Sequence, residues 1–339
     1  MSIIKDIANQ TNVSASTVSL VLNNKPGISS ATRQRVFEAM NELGYQDYAP
    51  RSAVKSKQRC IQFILYKKHG RIVSDTPFFS NVLEGAEAQV KKNGYNLMVS
   101  YIYEAQGVEE QLQNILSTGC VGMILLATEM MYKDLAVFTR SGVPFVVLDS
   151  YFEEITADTI VINNVQGAFS ATRYLCEKGH SDVGYLESST PINNFFERKE
   201  GYRKALSFCK KTYNSDFVFS VGASVETAYA DMKVLLSTGR KLPTAFFADN
   251  DIIAIGAIRA LREFGLAVPE DISIVGFDDI PMCGMLDVPL TTIRVPKQHI
   301  GMLATDRLIH ILQNPTGISI KIEVRTELVE RSSVAAPHL

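Results

Sequence analysis

The sequence predicts an α/β protein in which a small all-α helix-turn-helix headpiece precedes a two-lobed core of parallel sheets. Three short helical patterns, divided by turn signals, fill about the first 45 residues. From residue 60 onward apolar strand-like runs alternate with amphipathic helical stretches, and the alternation restarts after about residue 163. Charge divides along the same line: residues 1–59 hold eight Lys/Arg against four Asp/Glu, a net of +4 in a chain whose total is −2, so the rest carries −6. A basic module on an acidic body suits a polyanion partner, because phosphate neutralisation supplies affinity while the body is repelled. A solvated basic face would give the same count.

At 339 residues, 46% hydrophobic and 21% charged, the chain is long enough for two or three domains with a sizeable core. No apolar run approaches the roughly 18 residues of a membrane span. The stretch from Met1 to Asn9 is charged and amphipathic rather than an apolar signal core, so a cytoplasmic location without a membrane partner is expected. Cys60, Cys120, Cys176, Cys209 and Cys283 are scattered, without a Cys-x-x-Cys pair, and are expected to be reduced structural thiols.

In the headpiece, Ile4, Ile7 and Ala8 keep helical spacing before a polar break at Thr11 and Asn12. Ser14 can cap a second helix, with Val18, Val21 and Leu22 on one face and Ala15, Ser16, Ser19 and Leu20 on others. A loop from Asn23 to Gly27 follows. Ser29 or Ser30 then starts a third helix, with Val36, Phe37, Met40 and Leu43 inward and Gly44 as its carboxyl-terminal cap. The hydroxylated start of the second helix suits a major groove, where Ser and Thr bond base edges or phosphates. The same hydroxyls would equally serve to cap and solvate a helix, and spacing alone leaves both readings open.

In the core, strands are expected at 60–66, 96–101, 122–126, 145–148, 159–162, 183–186, 244–248 and 273–277. Helices are expected at 79–93, 107–118, 165–178, 198–209, 225–237 and 251–263. Apolar strands joined by helices of this length form parallel sheets, which bind ligands at the carboxyl ends of their strands. Asp149, Asn163, Asn250 and Asp278 stand at such ends. Each alone is as well explained as a cap or turn former; together they point to one cleft.

The run Ile-Lys-Asp-Ile-Ala-x-x-Thr-x-Val-Ser-x-x-Thr-Val-Ser-x-Val-Leu-Asn from Ile4 to Asn23, with Thr32-Arg33 and Leu43-Gly44-Tyr45 behind it, resembles the DNA-binding headpiece of the lactose repressor (LacI/GalR) family. The resemblance continues through Gly179-His180, Arg198-x-x-Gly201-Tyr202, Gly276-Phe277-Asp278, Leu290 to Ile293 and Leu328 to Ser332, over practically the whole chain. It implies a headpiece at 1–47, a hinge at 48–59 and a periplasmic-binding-protein-like core. The core lobes would comprise 60–163 with 292–323, and 164–291 with 324–333. Ala15, Ser16 and Leu20 would face base edges; Thr17, Ser19 and Asn23 would hold the helix or the DNA backbone, with Ser14 and Lys25 beside them. Leu20 stands where relatives often carry a polar or basic group, so its readout would be apolar contact, such as with a thymine methyl. In the hinge, Val54 matches the minor-groove wedge, with Arg51 and Lys55 near phosphates; an inert tether is the alternative.

The effector site implied by the resemblance sets Phe78 or Phe79 and Asp149 against Asn163, Arg198, Asn250 and Asp278. That set suits a polyol: carboxylates and amides take hydroxyl hydrogens, the guanidinium offers a planar fork, and an aromatic face covers C–H surface. Arg198 could instead be a surface ion-pair partner, and His180 reads better as a turn residue than as a ligand. No dinucleotide, phosphate-loop, nucleophile-elbow or zinc-helix motif occurs, so no catalytic residue, metal or cofactor is expected. The implied function is a sequence-specific DNA-binding regulator, expected to repress, controlled allosterically by a small polar effector such as a sugar or sugar derivative. A homodimer on a pseudo-palindromic double-stranded operator is expected, since little chain follows Ser333. A sugar-binding transport receptor and a sugar kinase are the competing classes; the first would require a signal peptide, the second a phosphate-binding motif.

Overall fold

A computed structural model describes residues 3–22, 27–45, 59–73, 77–315 and 317–337. The chain forms two units, Met1–Arg59 and Cys60–Leu339. Asn23, Lys25, Arg51, Val54 and Lys55, expected at DNA, lie outside the described residues.

The first unit contains α1 (Ile3–Thr11), α2 (Ala15–Leu22) and α3 (Ser30–Glu42) around a core of Ile7, Ala8, Val18, Val21, Val36 and Ala39. Ser14 Oγ accepts the Thr17 N–H at 3.0 Å and Ser29 Oγ accepts the Thr32 N–H at 3.2 Å, so both later helices start on a hydroxyl cap. Past α3, Gly44 takes a left-handed φ of 76°, which a residue with a side chain would resist. One expectation is corrected here: Phe37 is 46% exposed, and Ala39 takes the inward place. Val36, Ala39, Met40 and Leu43 form the i, i+3, i+4, i+7 stripe, from which Phe37 is rotated by about 100°.

The second unit begins β1 (Cys60–Lys67), α4 (Phe78–Lys92), β2 (Asn96–Tyr103), α5 (Val108–Leu116), β3 (Gly122–Leu126), α6 (Leu135–Arg140), β4 (Phe145–Leu148) and β5 (Asp158–Ile162). It continues α7 (Asn164–Glu177), β6 (Val183–Ser188), α8 (Asn193–Phe208), β7 (Val218–Val221), α9 (Val225–Ser237), β8 (Ala245–Ala248), α10 (Asp251–Glu263) and β9 (Ser273–Val275). It closes with β10 (Thr292–Arg294), α11 (Lys297–Gln313), β11 (Lys321–Val324) and β12 (Glu327–Val329).

Two parallel sheets result, ordered β11-β5-β4-β3-β1-β2 and β7-β6-β8-β9, with β10 and β12 paired antiparallel beside them. The central strands are buried on both faces, which is why they read as continuous apolar runs. After β10 the chain returns to the first lobe for α11 and β11, then crosses back as β12 to pair with β10. Among the described residues no helix is long and apolar enough to cross a membrane.

Several features depart from the expected elements. Helix α8 starts at Asn193, five residues before the expected start at Arg198, and the two asparagines of its first turn use their amides across the cleft. Helix α6, strand β7 and the last four elements were not anticipated, α11 being the largest. Helix α11 opens on Pro296 and packs directly on α4: a Cβ on Gly85 would lie 1.9 Å from Gln298 O, and one on Gly301 would lie 2.0 Å from Val82 O. Gly85→Ala is therefore expected to lower core stability by about 1–3 kcal/mol through forced separation of the two backbones. Thermal melting checks this; an unchanged midpoint would show that the helices have room to part.

Candidate functional site

The carboxyl ends of the two sheets face each other across a cleft. Thr128 follows β3, Asp149 follows β4, Asn250 caps α10 after β8, and Asp278 follows β9. The cleft is lined by these four with Phe78 and Phe79 at the start of α4, Ile72, Ile192, and Asn194, Phe195 and Arg198 of α8. Of the expected residues, Phe78, Phe79, Asp149, Arg198, Asn250 and Asp278 are brought together. Asn163 is not among the lining residues: its Oδ1 caps α7 by accepting the Gln166 N–H at 3.0 Å and its amide turns to Glu323. The next residue faces inward instead. Asn164 Oδ1 accepts from Arg198 Nε at 3.0 Å, and its amide donates to Glu197 at 2.8 Å.

Arg198 is the hub. It is 3% exposed; Nη1 donates to Asp249 O at 2.6 Å and Nη2 to Asp278 Oδ1 at 3.2 Å. Its guanidinium carbon lies 3.7 Å from the Phe277 ring centroid, the stacked geometry that suits a planar cation. Three of its five N–H groups are thereby used, which leaves donors for a ligand. The alternative of a surface ion pair does not hold for a side chain this buried.

Asp149 Oδ2 accepts from Thr128 Oγ1 at 2.5 Å and Oδ1 from Asn194 Nδ2 at 3.0 Å. Burial pushes its carboxyl up to about 6, against those bonds and the Arg198 charge. Asp278 is also raised by burial, in spite of Arg198 and Lys297. Both sit on left-handed backbone, with φ of 69° and 112°. Such geometry is disfavoured for non-glycine residues and gathers where side chains are held for a purpose. Thr128, Asn194, Ile72, Ile192 and Phe195 were not anticipated; the i, i+1 and i+5 positions from Asn193 along α8 were the available signal. The cavity itself is only about 20 Å³, room for about one water, so a larger ligand enters only if the lobes part.

In the headpiece, Ser14, Ala15, Ser16 and Leu20 are exposed and Thr17 and Ser19 half-buried. Ser14 Oγ also meets Ser16 Oγ at 2.7 Å and Thr17 Oγ1 at 2.8 Å, so the hydroxyl cluster caps the helix while its outer atoms face solvent. Leu20 lies on this outer face, 41% exposed.

Residues 3–47 match the family of bacterial regulatory proteins of lacI type, and residues 172–334 match a periplasmic binding protein-like domain. The chain is 32% identical to the ribose operon repressor of Haemophilus influenzae, over 93% of both chains. The chain belongs to the lacI family of bacterial regulatory proteins. It is also 32% identical to the HTH-type transcriptional repressor PurR of Aliivibrio salmonicida, over 98% of this chain and 99% of that one. Among solved structures, a transcriptional regulator CelR–cellobiose complex aligns with a TM-score of 0.73 at 25% identity, over 97% of this chain and 99% of that one. The lac repressor dimer bound to operator and an anti-inducer aligns with a TM-score of 0.73 at 25% identity, over 98% of both. As a lacI-family member the chain is a DNA-binding transcriptional repressor with a ligand-binding core, and its relatives are repressors rather than enzymes.

Proposed function

We propose that this repressor senses a sugar or sugar derivative held between its core lobes, and that it acts as a cytoplasmic homodimer on a pseudo-palindromic operator. The observation that carries the sugar reading is the lining of the cleft. The rings of Phe78, Phe79 and Phe195 supply apolar faces beside Asp149, Asn194, Asn250, Asp278 and Arg198, the mixture a polyol's C–H and O–H surfaces require. A solved relative holding cellobiose supports the ligand class, and a relative solved as a dimer on operator supports the assembly. In the headpiece, Ser14, Ala15, Ser16, Thr17, Ser19 and Leu20 would meet the major groove. Effector binding would part or re-close the lobes and alter operator affinity, a coupling between two sites through a two-state element.

The test is calorimetry of the full chain against pentoses, hexoses, disaccharides and, as a second polar class, nucleobases, followed by operator titration with any ligand that binds. One sugar should bind at one site per chain and change operator affinity by about 5–150-fold. Binding of a nucleobase with no response to any sugar would overturn the sugar reading.

A further inference from the structure

We propose that Glu129 is a positioning residue for the effector cleft: its carboxylate holds residues 68–73 so that Ile72 bridges the two lobes across the cavity. The proposal rests on the reading of this cleft as the effector site.

Glu129 stands three residues past the end of β3 and is 2% exposed. Its Oε2 accepts the backbone N–H groups of Lys68 at 2.9 Å, His69 at 3.1 Å and Gly70 at 2.8 Å. Its Oε1 accepts those of Ile72 at 2.9 Å and Val73 at 3.3 Å. Five N–H groups of one short segment thus converge on a single buried carboxylate, the arrangement by which backbone nests bind anions. Gly70, with φ of 68°, makes the turn that lets the chain wrap it. Burial pushes the Glu129 carboxyl up, but the N–H groups of Ile72 and Gly70 and the neighbouring His69 more than offset this and hold it below its ordinary value. It is a carboxylate, not a carboxylic acid, at neutral pH.

The wrapped segment ends at an apolar contact between lobes. Ile72 belongs to the first lobe, yet it packs in one cluster with Ile192, Phe195 and Ala223 of the second and lines the cavity. Thr128, adjacent to Glu129, bonds Asp149 in the same cavity. One turn after β3 therefore fixes both a polar contact and an apolar clasp. Because an effector enters only when the lobes part, the clasp adds to the closed side of the open–closed balance.

Glu129→Gln keeps size but turns one acceptor into a donor that faces two or three N–H groups. Ile72→Ala leaves the five bonds in place and removes only the clasp. Amide hydrogen exchange on the full chain without ligand reads both. The informative amides are those of residues 68–73 and of the first turn of α8, where the Phe195 and Phe196 N–H groups bond Ile192 O. For Glu129→Gln, exchange should rise at least about tenfold in both places. For Ile72→Ala it should rise at α8 alone, with Lys68 to Gly70 unchanged, and Ile72→Val should restore most of the protection. Unchanged exchange at α8 in Ile72→Ala overturns the proposal, and so does loosening of 68–73 in Glu129→Gln without any change at α8. If Glu129→Gln fails to fold, the Ile72 pair still decides. Calorimetry of the same variants with any sugar the parent chain binds separates the two readings: absence of sugar binding by the parent chain defeats the effector assignment, while the exchange result still judges Glu129.

Discussion

Arg198→Ala is expected to abolish effector binding and to lower the stability of the core by about 3–5 kcal/mol, the usual result of removing one partner of a buried ion pair. The side chain is 4% exposed and bonds Asn164 Oδ1, Asp249 O and Asp278 Oδ1, so its loss leaves three buried acceptors facing each other. It also removes the cation stacked on Phe277. Arg198→Lys should recover part of the loss, since it keeps a charge near Asp278, but one ammonium cannot span three acceptors held by a planar fork. Urea unfolding followed by tyrosine emission measures both variants, the chain having thirteen tyrosines and no tryptophan. An alanine variant within about 0.5 kcal/mol of the parent, the range of an ordinary surface substitution, would remove Arg198 from the centre of the site.

Much of this site could be reached from the sequence because parallel sheets gather the residues that follow their strands. Asp149, Asn250 and Asp278 each follow a continuous apolar run, and in such sheets the ends of those runs meet. Where the reading failed, the deciding contact crossed between elements without leaving a local pattern. Asn163 and Asn164 are adjacent and chemically identical; which one caps α7 and which one meets Arg198 depends on where the helix begins, to within one residue. Asn193 and Asn194 precede the expected start of α8 and follow no apolar strand run, so nothing local marked them, yet their amides close the cleft onto Ser150 and Asp149. Ile72 and Glu129 lie outside regular elements altogether, so no periodicity marked them. Helix α11 was missed because its partner surface, the face of α4 around Gly85, lies more than 200 residues earlier.

Core stability should rise as pH falls from about 7 towards 4.5, the reverse of ordinary acid denaturation. Burial raises Asp149 to about 6 and Asp249 to about 7. Burial, with the neighbouring charge of Asp278, raises Asp251 to about 7. Unfolding returns each to the ordinary value of 3.8, so the folded state binds more protons between pH 4 and 7. A group raised in this way contributes its stability below its unfolded value and loses it as pH climbs through the folded one. For Asp149 alone the loss at pH 8 is about 3 kcal/mol. His180 opposes the trend: burial lowers it, so the unfolded chain takes up its proton first below about pH 6.5. One imidazole against three carboxyls leaves the slope with the carboxyls. Glu129 and Asp279, held low by backbone N–H groups and by Arg331 and Arg294, turn the curve over only below about pH 4.5. The urea midpoint should therefore be highest near pH 4.5, fall as pH rises to about 7 and level off above it; a midpoint flat between pH 4.5 and 7 would mean these aspartates stay ionised. A saturating effector should flatten the slope, because ligand hydroxyls that donate to Asp149 favour its charged form and release its proton. That flattening ties the pH response to the cleft rather than to Asp251, which bonds Thr292 and Ile280 and is not among the lining residues.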